Sequence, residues 1–222
     1  MWVVRSRSLR VMREMAALAH QGWLLPQTGR VHQEHGHSRH LTVFIHGYFA
    51  AGGVFNPLAR HLAREHAPRQ LHFTYAPVGS VARHAITLGE RIEEARAGGP
   101  VVVVAHSLGG LVARYYAQIL GGRVDALVAL ATPHHGTPRA RGWPLTLARE
   151  LSPGSATLES LARTRHRLRA AVTCVVAGRD VLVPPRSAVL EGARVVHVPD
   201  TGHHGLLYHP ITWSAVRDAL LL

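Results

Sequence analysis

The amino-acid sequence predicts an α/β protein built on a mostly parallel central sheet with helices on both faces. Three observations point there: six short β-rich runs follow residue 41, segments of helical period lie between them, and glycine and proline mark the joints. Several runs are apolar at every position, which suits strands covered on both faces.

The runs are Leu41 to His46, Leu71 to Tyr75, Val101 to Ala105, Ala126 to Ala131, Val172 to Ala177 and Val195 to Val198. The helix candidates are Phe55 to His66, Val81 to Ala97, Leu108 to Leu120, Ser155 to Arg165 and Ile211 to Leu222. Breaks at Gly52-Gly53, Gly98-Gly99-Pro100, Gly121-Gly122 and Pro184-Pro185 separate them at spacings that suit right-handed βαβ crossovers. Leu206 and Leu207 are read as anchors for the last helix.

Residues 1–40 read differently from residues 41–222. Ser8 to Ala19 carries Leu9, Met12, Ala16 and Ala19 at helical spacing among arginines, a basic amphipathic helix, and a polar connector follows to His40. The expectation is a helix packed on the domain; weak association with a membrane surface is the alternative. The whole length of 222 residues favours one large domain, against roughly 100–200 residues per domain.

Composition narrows the function classes. Hydrophobic residues make up 47% of the chain, enough for a sizeable core and far from the disordered class. The longest apolar runs fall well short of the roughly 20 residues of a bilayer-spanning helix, and Arg5, Arg7, Arg10 and Arg13 break any signal-peptide-like core, so a cytoplasmic location is expected. A single cysteine, Cys174, excludes an intramolecular disulfide and a CxxC motif.

The 25 basic residues are all arginine and face 13 acidic ones, a net charge of +12. Clusters at Arg5 to Arg13 and at Arg163, Arg165, Arg167 and Arg169 have the charge to attract nucleic acid or anionic lipid. No recognition motif or interleaved aromatic accompanies them, so solvated surface is the expectation and no nucleic-acid partner is assigned. His32, His35, His37 and His40 crowd one segment, and His61 and His66 share a helix, but neither spacing matches a zinc signature. No metal or organic cofactor is expected.

The most informative stretch runs from Val101 through Ala105-His106-Ser107-Leu108-Gly109-Gly110 into Leu111 to Tyr116. A buried strand, a serine between small residues and then a helix make the context of a nucleophile elbow, a sharp turn that projects the serine hydroxyl outward. Ala105 and Gly109 remove the side chains that would strike neighbouring backbone. The serine also precedes a helix N-terminus, whose unpaired N–H groups favour an oxyanion, with Leu108 supplying one donor.

On these residues the chain resembles the α/β-hydrolase-fold lipases and esterases, whose GxSxG pentapeptide appears as Ala105-His106-Ser107-Leu108-Gly109, with alanine for the first glycine. The resemblance continues through Thr132-Pro133-His134-His135-Gly136 and Pro153-Gly154-Ser155, and covers roughly residues 41 to 210, so that 41–222 would be the catalytic domain. Within that family the chain resembles compact, lidless bacterial triacylglycerol lipases.

A serine needs a histidine to take its proton and a carboxylate to hold that histidine, in the chain order Ser, Asp or Glu, His. Asp180 lies just beyond the run ending at Ala177, where groups collect at the carboxyl ends of strands, and it matches the family's acid-bearing segment. Asp125 precedes its strand and Asp200 sits only three residues from the histidine candidate. The family's histidine, two positions before Gly-Leu-Leu, selects His203, with the adjacent His204 as the competitor. The resemblance extends to the family's His-Gly turn, here His46-Gly47, and implies that Tyr48 gives the second oxyanion N–H; His46 itself is read as a loop brace.

Only about forty residues separate Ala131 from Val172, too few for a large helical lid. Phe49, Leu182 and His204 are the candidate acyl-pocket residues. The expected substrates are small-molecule or lipid esters with short or medium acyl chains, cleaved through an acyl-enzyme. Acyl transfer, thioester or amide cleavage on the same residues, or a non-catalytic basic membrane- or nucleic-acid-associated protein, are the alternatives.

Overall fold

The computed structural model describes residues 39–66, 69–141 and 146–221. The amphipathic stretch Ser8 to Ala19, the first arginine cluster and His32, His35 and His37 lie outside them. Six strands, β1 (Leu41–Ile45), β2 (Arg69–Phe73), β3 (Val101–His106), β4 (Ala126–Leu130), β5 (Ala171–Ala177) and β6 (Arg194–Val198), form one sheet in the order β2-β1-β3-β4-β5-β6. Every pairing is parallel.

Alternation along the strands divides the core into two layers. Val43, Ile45, Val101, Val103 and Ala105 face one side, where they pack against α2 (Val81–Ala95) and α3 (Leu108–Gln118) through Leu88, Ile92, Leu111 and Val112. Phe44, Val102, Val104 and Val128 face the other, against α1 (Asn56–His66) through Leu58 and Leu62 and the last helix through Val216. β3, central and buried at all six positions, is covered on both faces, which is why its first five residues are Val-Val-Val-Val-Ala; the sixth is His106. Burying each such side chain stabilises the fold by roughly 1.5–3 kcal/mol.

The strand order reverses between β1 and β3. Their register, Ile45 beside Ala105, sets the loops after both strands next to each other at the carboxyl edge. In open α/β sheets the crevice at such a switch point is where ligands bind.

Between β4 and β5 the described residues hold only a 3₁₀ turn at Pro138–Ala140, the four-residue α4 (Thr146–Arg149), the eight-residue α5 (Ala156–Arg163) and a second 3₁₀ turn at Arg165–Arg167. Ser155 caps α5 at Leu158 N. Glu150 fixes this region to α2: one carboxylate oxygen accepts from Val81 N at 2.7 Å, at a helix N-terminus that favours negative charge, and the other from Thr157 Oγ1 at 2.8 Å. α6 (Pro210–Ala219) begins with proline at its first position and follows the buried pair Leu206 and Leu207.

Arg114 on α3 is 2% exposed and has no carboxylate partner among the described residues. Its guanidinium donates to Gln118 Oε1 at 2.8 Å and to the Leu161 carbonyl at 3.0 Å, and approaches His134 Nδ1 at 3.3 Å. Burial pulls its pKa down to about 10. The side chain thus bolts α3 to α5 and to the segment after β4.

Most boundaries shift from the sequence reading by one to three residues, and the shifts at β2 and at the start of α1 have a visible cause. β2 begins at Arg69 because Gln70, buried, donates its amide to the Ala59 carbonyl at 2.9 Å, and it ends before Tyr75, whose N–H donates to His46 Nε2 instead of to a strand. Phe55 belongs to a 3₁₀ turn, Gly52–Phe55, ahead of α1. Among the described residues no helix is long and apolar enough to cross a membrane.

Candidate active site

β3 ends and α3 begins around a single residue, Ser107. Its N–H still donates to the Leu130 carbonyl of β4 at 2.8 Å, and then the chain turns at φ 52° and ψ −121°, a conformation that costs a non-glycine residue about 1–3 kcal/mol. The turn is tight enough that a Cβ on Gly109 would come within 2.5 Å of the Ile45 carbonyl oxygen and 2.7 Å of that of His46. The Ser107 hydroxyl does not cap α3, although the residue stands at the N-cap position. A helix cap therefore does not explain the serine.

Asp180 follows β5 and His203 follows β6. Gly178 N donates to the Val198 carbonyl and Arg179 N to that of Thr201, at 2.9 and 3.0 Å, so the two loops are tied together. His203 Nδ1 lies 2.7 Å from Asp180 Oδ2, with the side chains 5% and 3% exposed. The other carboxylate oxygen, Oδ1, accepts the N–H groups of Leu182 and Val183, both at 2.8 Å. The aspartate is thus held from two sides, and its hydrogen bond gives the proton of His203 to Nδ1 and leaves Nε2 as the basic nitrogen.

His106, the residue before Ser107, is the contributor that sequence reasoning missed. Its buried ring donates from Nε2 to the carbonyl oxygen of His203 at 3.0 Å and packs on the His203 ring with centroids 4.6 Å apart. Burial, and then the nearby His203 and His204, hold its pKa well below the ordinary imidazole value. His204 stands edge-on to His203 at 5.2 Å, and burial followed by repulsion from His203 lowers its pKa to about 4, with Asp180 opposing the shift. His46 braces the β1 loop as expected: its Nδ1 donates to the Gly47 carbonyl at 2.7 Å, its ring stacks on Tyr75 at 4.2 Å, and its carbonyl accepts the Tyr75 hydroxyl.

The Tyr48 loop lies beside the elbow. A Cβ on Gly47 would meet His106 Nδ1 at 2.8 Å and Ser107 Cβ at 3.1 Å, so only glycine lets this backbone approach the serine. Tyr48 and Phe49 form the middle of a turn closed by Ala50 N to the Gly47 carbonyl, with Phe49 at φ 55°. The first N–H groups of α3, that of Leu108 included, have no carbonyl to meet inside the helix.

A pocket of about 290 Å³ opens over these groups. Ser107 and His203 line it, together with Phe49, Leu182 and His204. Phe49 and Leu182 are 58% and 39% exposed at its rim. Thr137, Arg139 and Leu151, which the sequence did not single out, complete much of one wall. Among the described residues no group of three or more His, Cys, Asp or Glu is arranged to hold a metal ion.

An all-parallel sheet flanked by helices, with a strained serine after the central strand and an Asp–His pair from the ends of the last two strands, defines the architecture of an α/β hydrolase. Solved structures agree on the fold. The mature form of the Bacillus licheniformis lipase BlEst2 superposes with a TM-score of 0.70 at 18% identity, covering 81% of this chain and 91% of that one. A Paleococcus ferrophilus monoacylglycerol lipase gives 0.61 at 18% identity over 81% and 94% of the two chains. The RedJ thioesterase of the prodiginine biosynthetic pathway in Streptomyces coelicolor gives 0.58 at 18% identity over 84% and 91%. No curated protein matches the sequence. The model of the alpha/beta hydrolase family matches residues 42–169, more than half of the chain, and the protein belongs to that family.

The buried histidines predict how stability depends on pH. His46 is held near 4 chiefly by burial, His204 is near 4, and His106 and His134 lie well below the ordinary value, whereas all titrate near 6.5 in the unfolded chain. Between about pH 4 and 6.5 the unfolded state therefore binds more protons, and stability rises with pH. The contribution is complete above about pH 6.5 and is lost as pH falls toward 4; His46 alone accounts for roughly 2 kcal/mol by pH 5. Urea unfolding at pH 7.5 and pH 5 is expected to show a clearly lower midpoint at pH 5, and an unchanged or higher one would contradict the neutral burial of these rings.

Proposed function

We propose that the protein is a serine carboxylesterase or lipase acting on short to medium acyl esters, of small molecules or lipids, through an acyl-enzyme. What carries the reading is the 2.7 Å contact between His203 Nδ1 and Asp180 Oδ2 at the pocket that holds Ser107. With Nδ1 committed to the carboxylate, Nε2 takes the proton of the Ser107 hydroxyl as it attacks the ester carbonyl. The oxyanion that forms accepts from the N–H groups of Tyr48 and Leu108. His203 then returns the proton to the departing alcohol. Water, activated by the same nitrogen, releases the acid and regenerates the serine.

The pocket supports the chain-length preference. Its volume of about 290 Å³ is at the small end of ligand sites, which run from about 300 to 1,000 Å³. Similarity to a thioesterase supports a second reading, thioester cleavage on the same residues. Both are tested by p-nitrophenyl esters from acetate to palmitate beside S-acyl analogues of equal chain length. The expected result is a kcat/KM that peaks between acetate and octanoate and falls at least about tenfold by palmitate, with esters preferred. Rates still rising at palmitate would refute the chain-length proposal, and turnover of thioesters alone would select the second reading.

A further inference from the structure

One charged side chain on the pocket wall has no part in the chemistry above. Arg139 lines the pocket, and no Asp or Glu does. Asp180, behind His203, is 3% exposed and has both oxygens engaged. Arg139 is solvent-exposed and has no ion-pair partner among the described residues.

Its backbone is also fixed relative to the candidate triad. Arg139 N donates to Thr137 Oγ1 at 3.3 Å, and that hydroxyl donates in turn to the Leu182 carbonyl. Leu182 N donates to Asp180 Oδ1 at 2.8 Å. Three hydrogen bonds thus connect the 3₁₀ turn that carries the guanidinium with the carboxylate that holds His203. These bonds hold the backbone of Arg139, so its forked cationic donor is tethered beside the pocket mouth and within reach of an anion entering there. The rest of the wall near it, Ala140, Leu151 and Leu182, is apolar and leaves an incoming anion no other charged partner.

We propose that Arg139 is a specificity-determining residue that selects esters bearing an anionic group, a carboxylate or phosphate, within reach of the pocket wall. This rests on the ester-hydrolase reading of the site and adds the charge of its substrate. The anion can belong to the acyl part or to the alcohol part, and the two sources separate experimentally. Monomethyl suberate against dimethyl suberate places the charge on the acyl side. Monooctanoylglycerol phosphate against monooctanoylglycerol places it on the alcohol side.

Each variant is scored by its own ratio of kcat/KM, anionic over neutral, at low ionic strength, so that a partly unfolded preparation does not alter the result. The wild type is expected to prefer the anionic member of at least one pair by about tenfold, mostly through KM, and to lose the preference as salt is raised. Arg139→Gln is expected to bring the ratio near one, Arg139→Glu to invert it, and Arg139→Lys to retain a good part of it. Equal ratios in wild type and Arg139→Gln for both pairs would overturn the proposal. A binding arm separates this failure from failure of the hydrolase reading: calorimetry of monomethyl suberate and monooctanoylglycerol phosphate with Ser107→Ala and Ser107→Ala/Arg139→Gln. Binding that needs Arg139 in the absence of any turnover would keep the anion site and discard the ester chemistry. Turnover of the neutral esters with no Arg139-dependent binding or preference would do the reverse.

Discussion

Replacing Ser107 by alanine is expected to lower kcat on a good ester by a factor of about 10⁴ or more while leaving the thermal midpoint close to that of the wild type. The two halves of this expectation have separate causes. The hydroxyl is the nucleophile in the proposed chemistry, and nothing else in the pocket replaces it. Its removal costs little stability, because it makes no capping bond to α3 and the backbone strain at φ 52° is the same for alanine as for serine. Ser107→Gly extends the test: the activity loss is the same, but glycine relieves the strain and is expected to stabilise the fold by about 1 kcal/mol. A serine kept for packing or capping would behave in the opposite way, with activity retained and stability lost. Activity on p-nitrophenyl butyrate and calorimetric melting of the three proteins decide between them.

The second large effect separates two adjacent histidines. His203→Ala is expected to reduce kcat/KM by about 10⁴-fold, because it removes the only base whose other nitrogen is held by Asp180. His204→Ala removes a pocket-wall ring and is expected to cost about tenfold or less. That ring is neutral near pH 7, its pKa being lowered to about 4 by burial and by His203. Steady-state kinetics at pH 7.5 with both variants and one short-chain ester give the comparison. If the ranking is reversed, the base is His204 and the Asp180–His203 pair is structural.

How far the sequence reveals this arrangement depends on what each residue needs in order to be recognised. The elbow is legible because its requirements are local: an apolar strand, a serine between Ala105 and Gly109, and a helix at once after it. The sheet is legible for the same reason, since β3 and β4 are covered on both faces and so are apolar at every position but the last of β3, His106. β2 is blurred at its start because Arg69 and Gln70 look like loop residues, and only the Gln70 bond to the Ala59 carbonyl makes a buried amide acceptable there.

Three residues are silent in the sequence because their roles depend on distant partners. Arg114 has the pattern of a surface cation on an amphipathic helix, yet it is buried by acceptors from Gln118 and Leu161, the second of these 47 residues away. His106 is one of eighteen histidines and occupies a motif position that any residue can fill; its bond to the His203 carbonyl spans 97 residues. Arg139 belongs to an arginine-rich stretch, and only the turn at Thr137 sets it on the pocket wall.

The central claim is that His203, held by Asp180, turns the Ser107 hydroxyl into a nucleophile. Labelling with a fluorophosphonate, followed by intact mass and peptide mapping, tests it most directly, because the reagent bonds covalently to an activated serine without reference to any particular substrate. One adduct per chain, located on Ser107 and formed more than about a hundredfold more slowly in His203→Ala, is the result expected. An adduct on another serine, or labelling of Ser107 at the same rate with His203 removed, would contradict it.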